Sequence, residues 1–206
     1  FTRRFVKVAL GGTGGDEIFH GYPRYAGLRL LEYYRRLPRI IRRYLVERIV
    51  GRWPETSKGG RFVNRARRFV QSSEMPPEEA YLSWVSLLNR DTRLGLLSEA
   101  VVAHADDPCG ESVLRHYLCG SEDRDILDRA ADLDVGGYLP EYQLCYMDRM
   151  SMAHGLEVRS PFCDYDLLDF VTSLPSSYRL KGRRSKHIFK EVALDWVPRR
   201  IVNRRK

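Results

Sequence analysis

The sequence predicts an α/β fold that is predominantly helical, and two observations carry that prediction. An apolar, β-prone run from Phe5 to Leu10 enters a glycine-rich loop, after which the pattern turns helical at Ile18. Almost everything downstream shows the helical spacing of apolar residues. One strand cannot form a sheet alone, so we expect most of a parallel sheet to lie upstream of Phe1. We interpret residues 1–206 as a single, partial domain.

The loop after the first strand is typical of a phosphate site. Backbone N–H groups at a strand–loop–helix junction point at anionic oxygens, and glycine lets the main chain come close. The two acids that follow would repel a bare phosphate, so the segment favours a nucleotide–Mg²⁺ site. A Walker loop and a dinucleotide fingerprint are both excluded, because the required lysine and third glycine are missing. A tight turn that packs a helix on a strand is the alternative. The segment reads Gly11-Gly-Thr-Gly-Gly-Asp-Glu17.

The remaining elements are predicted from apolar spacing and from proline and glycine. They are a helical hairpin over 25–50 interrupted at Pro38, a loop over 53–60, a basic helix over 61–71, and a helix from Pro76 to about Leu88. Residues 105–110 are turn-like, and further helices are predicted over 112–118, 121–131, 137–153, 165–174 and 184–196. The prediction is therefore one strand followed by helices.

Composition narrows the class of protein. The chain of 206 residues can bury a core, carries a net charge of +8, and has no apolar run that approaches a membrane span. The four cysteines lack CxxC spacing, which favours free thiols in a reducing cytoplasm over a zinc site. Arginines between Arg24 and Arg68 alternate with apolar residues at helical spacing, which favours solvated helix faces, with a nucleic-acid footprint as the alternative. We expect neither a membrane nor nucleic acid among the partners.

A second group of chemically active residues lies between 138 and 164. A predicted helix is followed by a loop that carries Glu157, Arg159 and Asp164, with Pro161 between them. Charged side chains on a proline-stiffened loop suit a binding or catalytic site. An arginine–carboxylate network that only pins the loop is an equally weighted alternative.

A third group is cationic. Lys186 follows a basic run and leads into a predicted helix, and Lys206 ends a second basic run. Lysines on separate elements could hold a triphosphate and stabilise a departing pyrophosphate. For any single lysine, surface solvation is the alternative.

The three groups together resemble one family. In this chain they read GGTGGDEIFHGYPRY, then YLPE and DRMSMAHGLEVRSPFCD, then KHI, then PRRIVNRRK. This order is similar to the synthetase domain of glutamine-dependent asparagine synthetases, a domain that β-lactam synthetases share. The resemblance covers about residues 5–25 and 138–206. It implies the C-terminal part of an adenine-nucleotide α-hydrolase-like domain (a PP-loop ATP pyrophosphatase), with most of its parallel sheet missing upstream.

The resemblance also implies a reaction. An enzyme of this kind uses ATP and Mg²⁺ to activate the side-chain carboxylate of aspartate as an acyl-adenylate, with release of pyrophosphate. Ammonia, drawn from glutamine in the full-length parent, then displaces AMP to give asparagine. The implied partners are these small molecules, the implied location is the cytoplasm, and a homo-oligomer is compatible with the sequence.

Site roles are carried over from the matching motifs. Lys206 would neutralise charge in the adenylation transition state, and Asp16 would be the Mg²⁺ ligand. The catalytic candidates are Lys206, Glu157 and Thr13; the ATP-binding candidates are Gly11, Gly12, Gly14, Asp16 and Lys186; the substrate-binding candidates are Arg159 and Asp164.

Three positions depart from the family pattern. Gly11 stands where serine is usual, Thr13 where an acid handles the incoming amine, and Tyr146 where lysine is common. Threonine cannot act as a base near neutral pH, so amidation or cyclisation of a carboxylate other than aspartate is an alternative function. A degenerate basic module that binds nucleic acid is another.

Two parts of the family's machinery are not found in this sequence. The SGGxDS loop that binds pyrophosphate and the glutaminase domain with its cysteine nucleophile would both precede Phe1, and Lys206 ends the sequence without a closing element. We therefore expect the 206-residue chain alone to have no synthetase activity.

Overall fold

The computed structural model describes residues 1–50, 60–88, 90–104, 112, 117 and 124–204. The chain divides into two compact units, one formed by Phe1–Ala26 with Tyr117–Lys206 and the other by Gly27–His116. The assignment of residues 1–206 to a single domain stays a prediction. Several sequence predictions lie wholly or mostly outside the described residues, namely the loop over 53–60, the turn over 105–110, the helix over 112–118 and the position of Lys206.

Short elements open the chain, and helices are the only regular elements among the described residues between 60 and 104. The first elements are a 3-10 turn at Thr2–Arg4, strand β1 (Val8–Leu10) and helix α1 (Gly15–Ile18). The next are helices α2 (Pro23–Arg35), α3 (Arg39–Val50), α4 (Gly60–Ser72), α5 (Pro77–Val85), α6 (Arg90–Leu96) and α7 (Glu99–His104).

The C-terminal part of the chain completes the first unit. Its first elements are helix α8 (Ile126–Leu133), a π-helix (Asp134–Leu144), helix α9 (Cys145–Met152), strand β2 (Glu157–Arg159) and a 3-10 turn at Pro161–Cys163. Helices α10 (Tyr165–Ser173) and α11 (Ser176–Arg179), strands β3 (Leu180–Lys181) and β4 (Arg184–Ser185), and helices α12 (His187–Ala193) and α13 (Arg199–Val202) follow. No described helix is long and apolar enough to cross a bilayer.

The fold class is confirmed as mostly helical α/β, but the prediction of one strand followed only by helices is wrong. Strand β1 pairs in parallel with β2, with Val8 opposite Glu157 and Leu10 opposite Arg159. Strand β2 has only three residues, and the alternation of apolar and charged residues from Leu156 to Arg159 is too short to distinguish a strand from a loop. Tertiary pairing, rather than local propensity, makes it a strand.

The helix predicted over 184–196 is also wrong at its start. Residues 180–185 form an antiparallel hairpin around Gly182, whose φ is +59°. Lys186 then adopts a left-handed backbone with φ +53°, and α12 begins only at His187. The basic run before Lys186 gave no strand signal, so the hairpin could not be read from residue type.

The helix predicted over 137–153 is present but longer and of mixed type. The π-helix follows α8 without a break and passes directly into α9, so the backbone stays helical from Ile126 to Met152. Pro140 lies inside the π-helix, where proline would break an ordinary α-helix. A π-helical stretch of this length is rare and is often found at functional sites.

The predicted hairpin over 25–50 is confirmed as α2 and α3, with Pro38 between them. The interpretation of its apolar residues as a buried stripe holds only for part of α2. Leu31 is fully buried, whereas Leu30 and Tyr33 are more than half exposed and Ile40 is 83% exposed. Spacing alone does not show which face of a helix is covered.

Within the second unit, aromatic contacts join α2, α4 and α5. The rings of Tyr34 and Phe69 lie 5.6 Å apart, and those of Phe69 and Trp84 lie 6.2 Å apart. Trp84 Nε1 donates to Ser72 Oγ at 2.8 Å, so the partly buried indole also satisfies its polar group. Gly27 leaves room for Trp84, because a Cβ there would lie 3.1 Å from the indole ring.

The core of the first unit forms around α1. Ile18, Phe19 and Val171 are buried together, which packs the helix after the glycine-rich loop onto α10. The partly buried residues against this core are Val135, Phe162, Leu167, Leu168 and Ile188. The loop therefore leads into one of the best-packed parts of the unit.

Buried ion pairs in the first unit join the π-helix to α2 and α11 to α8. Asp134 is 1% exposed and accepts hydrogen bonds from Tyr25 Oη at 2.5 Å and Arg24 Nη2 at 2.7 Å. Arg179 is also 1% exposed and pairs with Asp128 on α8. Burial raises the pKa of Asp128 and lowers the pKa of Arg179, so desolvation outweighs the attraction in each. Such pairs are costly to form and more costly to break.

We predict that Asp134→Ala destabilises the protein strongly. Removing this carboxylate takes a buried acceptor from both the Tyr25 hydroxyl and the Arg24 guanidinium, and we expect the free energy of unfolding to fall by about 3–5 kcal/mol. Chemical denaturation of the full-length protein measures it.

The matched control is Glu191→Ala, which removes a carboxylate from a pair with Arg184 whose side chains are 48% and 38% exposed. We expect that change to cost about 1 kcal/mol or less. Equal effects of the two substitutions would contradict a structural role for the buried network.

Candidate functional site

The candidate site lies at the carboxyl edge of the two parallel strands. The glycine-rich loop leaves β1 there, and residues 160–164 leave β2 beside it. Gly11 N donates to Arg159 O at 2.8 Å, which extends the strand ladder by one step. In parallel sheets, ligands bind in the crevice outside this edge. The structure thus brings together the first two groups of residues that the sequence singled out.

Contacts on both sides hold the loop in place. Ser160 Oγ donates to Thr13 O, and Thr13 Oγ1 donates to Met147 Sδ at 3.4 Å. The Thr13 side chain is therefore turned towards a thioether on α9. The catalytic role of Thr13 stays a prediction, and the sequence gave no signal that Ser160 and Met147 would hold this residue.

Close approach explains two of the glycines. Gly14 has φ +91°, which favours glycine, and a Cβ there would lie 3.1 Å from Cys163 Sγ. A Cβ on Gly11 would lie 3.1 Å from a Val158 methyl and 3.4 Å from Met147 Sδ. These side chains fill the space that serine would need at Gly11.

Gly12 differs from its neighbours. No atom lies within 4 Å of a Cβ built at this position. The backbone of Gly12 therefore faces open space at the strand edge. A glycine that no packing requires, in a loop otherwise tightly packed, suits the approach of a ligand to the main chain.

Asp16 and Lys186 meet beside the loop. Lys186 Nζ lies 2.9 Å from Asp16 Oδ1, and the two side chains are 19% and 25% exposed. Lys186 N donates to Phe19 O at 3.1 Å, which fixes the start of α12 against α1. Gly21 makes the pairing possible, because a Cβ there would lie 2.0 Å from Asp16 Oδ1 and 2.5 Å from Lys186 Cε. The sequence predicted both charged residues for the site but not their contact.

Glu17 has a different environment from Asp16. It is 1% exposed and accepts a hydrogen bond from Tyr22 Oη at 2.6 Å. Burial, and then the contact with Glu17, raises the pKa of Tyr22 above its usual range, so the phenol stays protonated and remains the donor. The two neighbouring acids are thus separated: Glu17 lies in the interior, and Asp16 lies at the loop.

The charged residues of the second group, Glu157, Arg159 and Asp164, make contacts with residues close to them in sequence. Arg159 Nε donates to Glu157 Oε1 at 2.8 Å, with both side chains more than half exposed. Asp164 Oδ1 accepts from Leu167 N at 3.1 Å and caps α10. These contacts match the arginine–carboxylate alternative for Glu157 and Arg159 and give Asp164 a capping role; their roles towards a substrate stay predictions.

A separate cavity lies in the same unit. Its volume is about 510 Å³, and none of the predicted site residues lines it. Its walls come from α8, the π-helix, α10 and nearby residues, namely Tyr117, Arg124, Asp132, Val135, Gly136, Leu168, Asp169, Thr172 and Ser173. The predicted site is instead an open edge.

Comparison with known proteins decides the family. A family model described as asparagine synthase matches residues 1–206. The chain belongs to the asparagine synthase family. The resemblance drawn from the motifs is therefore confirmed, and the match also covers the middle of the chain, where the motifs gave no signal.

Individual relatives of this family member are distant but extend over nearly the whole chain. Asparagine synthetase (glutamine-hydrolyzing) 1 of Bacillus subtilis is 24% identical over 204 residues, covering 99% of this chain and 30% of that protein. A putative asparagine synthetase of Mycobacterium tuberculosis is 26% identical over 204 residues, 99% of this chain and 29% of that protein. Amidase chyE of Penicillium rubens is 26% identical over 220 residues, 96% of this chain and 31% of that protein.

This chain spans about 30% of the length of these relatives. No solved structure gives a significant match. Membership of the asparagine synthase family thus rests on sequence, and the site described above is the geometry available for it.

We predict that alanine lowers the stability of the protein at one glycine of the site and leaves it nearly unchanged at another. Gly21→Ala places a Cβ 2.8 Å from Asp16 Cα as well as against the Asp16 carboxylate, so the free energy of unfolding should fall by about 1–3 kcal/mol. Gly12→Ala meets no atom within 4 Å and should change it by less than about 0.5 kcal/mol. Thermal denaturation of both variants tests the packing of the loop, and a reversed order would refute it.

Proposed function

We propose that this chain is part of an ATP-dependent ligase that forms amide bonds. In the proposed reaction, the aspartate side-chain carboxylate is activated as an acyl-adenylate with release of pyrophosphate, and ammonia from glutamine then gives asparagine. The observation that carries the proposal is the loop at the edge of two parallel strands, with an open position at Gly12 and a carboxylate–lysine pair at Asp16 and Lys186. Family membership supports the same reaction.

The loop is suited to phosphate and the acid beside it to a metal. Backbone N–H groups of Gly12 and Gly14 would bind phosphate oxygens of ATP, and the open space at Gly12 supports that role. The N–H group of Gly11 donates to Arg159 O, so Gly11 would contribute through the close packing of the loop. Asp16 offers a partly exposed carboxylate beside the loop, and carboxylate oxygens are ligands that Mg²⁺ prefers, so the donor chemistry fits Mg²⁺. When bound, Mg²⁺ supplies charge neutralisation for the triphosphate. Lys186 would contribute the same at a phosphate oxygen.

The remaining roles concern the reacting carboxylate. We propose that Lys206 neutralises charge in the adenylation transition state, a role that rests on the motif match alone. Glu157 and Arg159 would meet the substrate, Arg159 by binding a carboxylate and Glu157 by accepting a proton from the amine. Thr13 donates its hydroxyl to Met147, so it would shape the loop without acting as a base. Asp164 would support the substrate side by fixing α10.

The state of two cysteines bears on the cellular compartment of the proposed reaction. Cys145 and Cys163 form no disulfide, which fits a reducing compartment such as the cytoplasm. We place the reaction there, with small molecules as the substrates.

We predict that Lys206→Ala in the full-length protein lowers the rate of aspartate-dependent AMP formation at least about 100-fold, because a group that neutralises transition-state charge is lost. The charge-matched control Lys181→Ala removes an exposed lysine of strand β3 and should retain the rate. Exchange of ATP with labelled pyrophosphate measures adenylation separately from ammonia transfer.

Unchanged exchange in Lys206→Ala would refute the role of Lys206. The stably folded Gly12→Ala variant should weaken Mg·ATP binding, which tests the loop independently. If the wild-type protein forms AMP with another carboxylate but not with aspartate, the ligase assignment stands and the substrate is corrected.

A further inference from the structure

The ion pair between Asp16 and Lys186 differs from an ordinary surface ion pair in its burial, its backbone conformation and its packing. Its side chains are 19% and 25% exposed, whereas the surface pair of Arg184 and Glu191 is 38% and 48% exposed. Lys186 holds a left-handed backbone with φ +53°, which is uncommon for a residue other than glycine. Gly21 must lack a side chain for the pair to form. Strain and close packing of this kind occur at functional sites.

The carboxylate in this pair is also the residue we propose as the Mg²⁺ ligand. Among the described residues there is no group of three or more His, Cys, Asp or Glu side chains that could hold a metal ion. A divalent ion at Asp16 would therefore draw further oxygen ligands from phosphate and water, as Mg²⁺ commonly does. The metal and Lys186 would compete for one carboxylate.

Charge balance decides when each cation binds. With Lys186 in place, Asp16 is neutralised, and a divalent ion arriving alone would add two positive charges beside an ammonium in a partly buried position. A nucleoside triphosphate carries enough negative charge to hold both cations. The ammonium can then leave Asp16 for a phosphate oxygen.

We propose that Lys186 and the divalent cation exchange on Asp16, so that the site takes metal only together with nucleotide. This inference rests on the proposed function and adds its order of binding. In the free protein Lys186 pairs with Asp16, and in the complex with Mg·ATP the same ammonium contacts phosphate. Nucleotide and metal binding are thereby coupled, each strengthening the other.

The exchange predicts changes of opposite sign in one variant. In Lys186→Met, Mn²⁺ alone should bind about five- to tenfold more tightly than in the wild-type protein, because its competitor is gone. Mg·ATP should bind at least about tenfold more weakly, because a charged contact to phosphate is lost. Electron paramagnetic resonance of the full-length protein measures free and bound Mn²⁺, and calorimetry measures Mg·ATP.

Three further variants make the test specific. Lys181→Met removes the same charge from an exposed position and should match the wild-type protein in both measurements. Lys186→Arg keeps a cation and should leave Mn²⁺ binding weak. Adding Asp16→Asn to Lys186→Met should remove the gain in Mn²⁺ affinity, which locates the metal at Asp16.

Unchanged or weaker Mn²⁺ binding in Lys186→Met, with its thermal stability retained, would overturn the exchange. The proposed function fails separately, if the wild-type protein neither binds Mg·ATP nor forms AMP with any carboxylate. The Mn²⁺ measurement requires no turnover, so it reports on the exchange in either case.

Discussion

The parallel pairing of β1 with β2 is the constraint on which the site depends. The two strands lie far apart in sequence, and their pairing places two loops at one edge. Because Ser160 follows β2 directly, it reaches the carbonyl of Thr13, and Phe162 then packs against Gly14 and Gly15. Without this register the glycine-rich segment would have no partner loop. A few backbone hydrogen bonds thus bring the glycine-rich loop and residues 160–164 to one edge of the strand pair.

Buried polar groups hold the residues that follow the glycine-rich loop in place. Glu17 binds Tyr22, and Asp134 binds Tyr25, so the residues just after the loop are joined to the π-helix. Charges buried in this way rarely add net stability, since desolvation offsets their attraction. Their geometry is specific, however, because each group has a fixed partner. The same helical run continues into α9, which carries Met147 to the loop.

Sequence reasoning located the loop and its acids but not the contacts that organise them. Glycines next to a strand and a helix start are a local pattern, and local patterns can be read directly. The strand at Glu157–Arg159 could not be read in this way, because an alternating pattern this short does not distinguish a strand from a loop. The pairing of Lys186 with Asp16 depends on a hairpin turn at Gly182 and a left-handed lysine, neither of which the basic run encodes. The exposure of Ile40 shows the same limit for helices.

The acids beside the loop first suggested a conflict with phosphate, and the structure resolves it. Glu17 is withdrawn into the interior and held by Tyr22, and Asp16 is neutralised by Lys186. The loop therefore presents backbone N–H groups beside a carboxylate whose charge is already balanced, so Asp16 adds no net negative charge that would repel an incoming triphosphate. Thr13 adds no charge, since its hydroxyl is turned to Met147. The charge balance at Asp16 follows from its contact with Lys186, and it makes the loop suitable for phosphate before metal arrives.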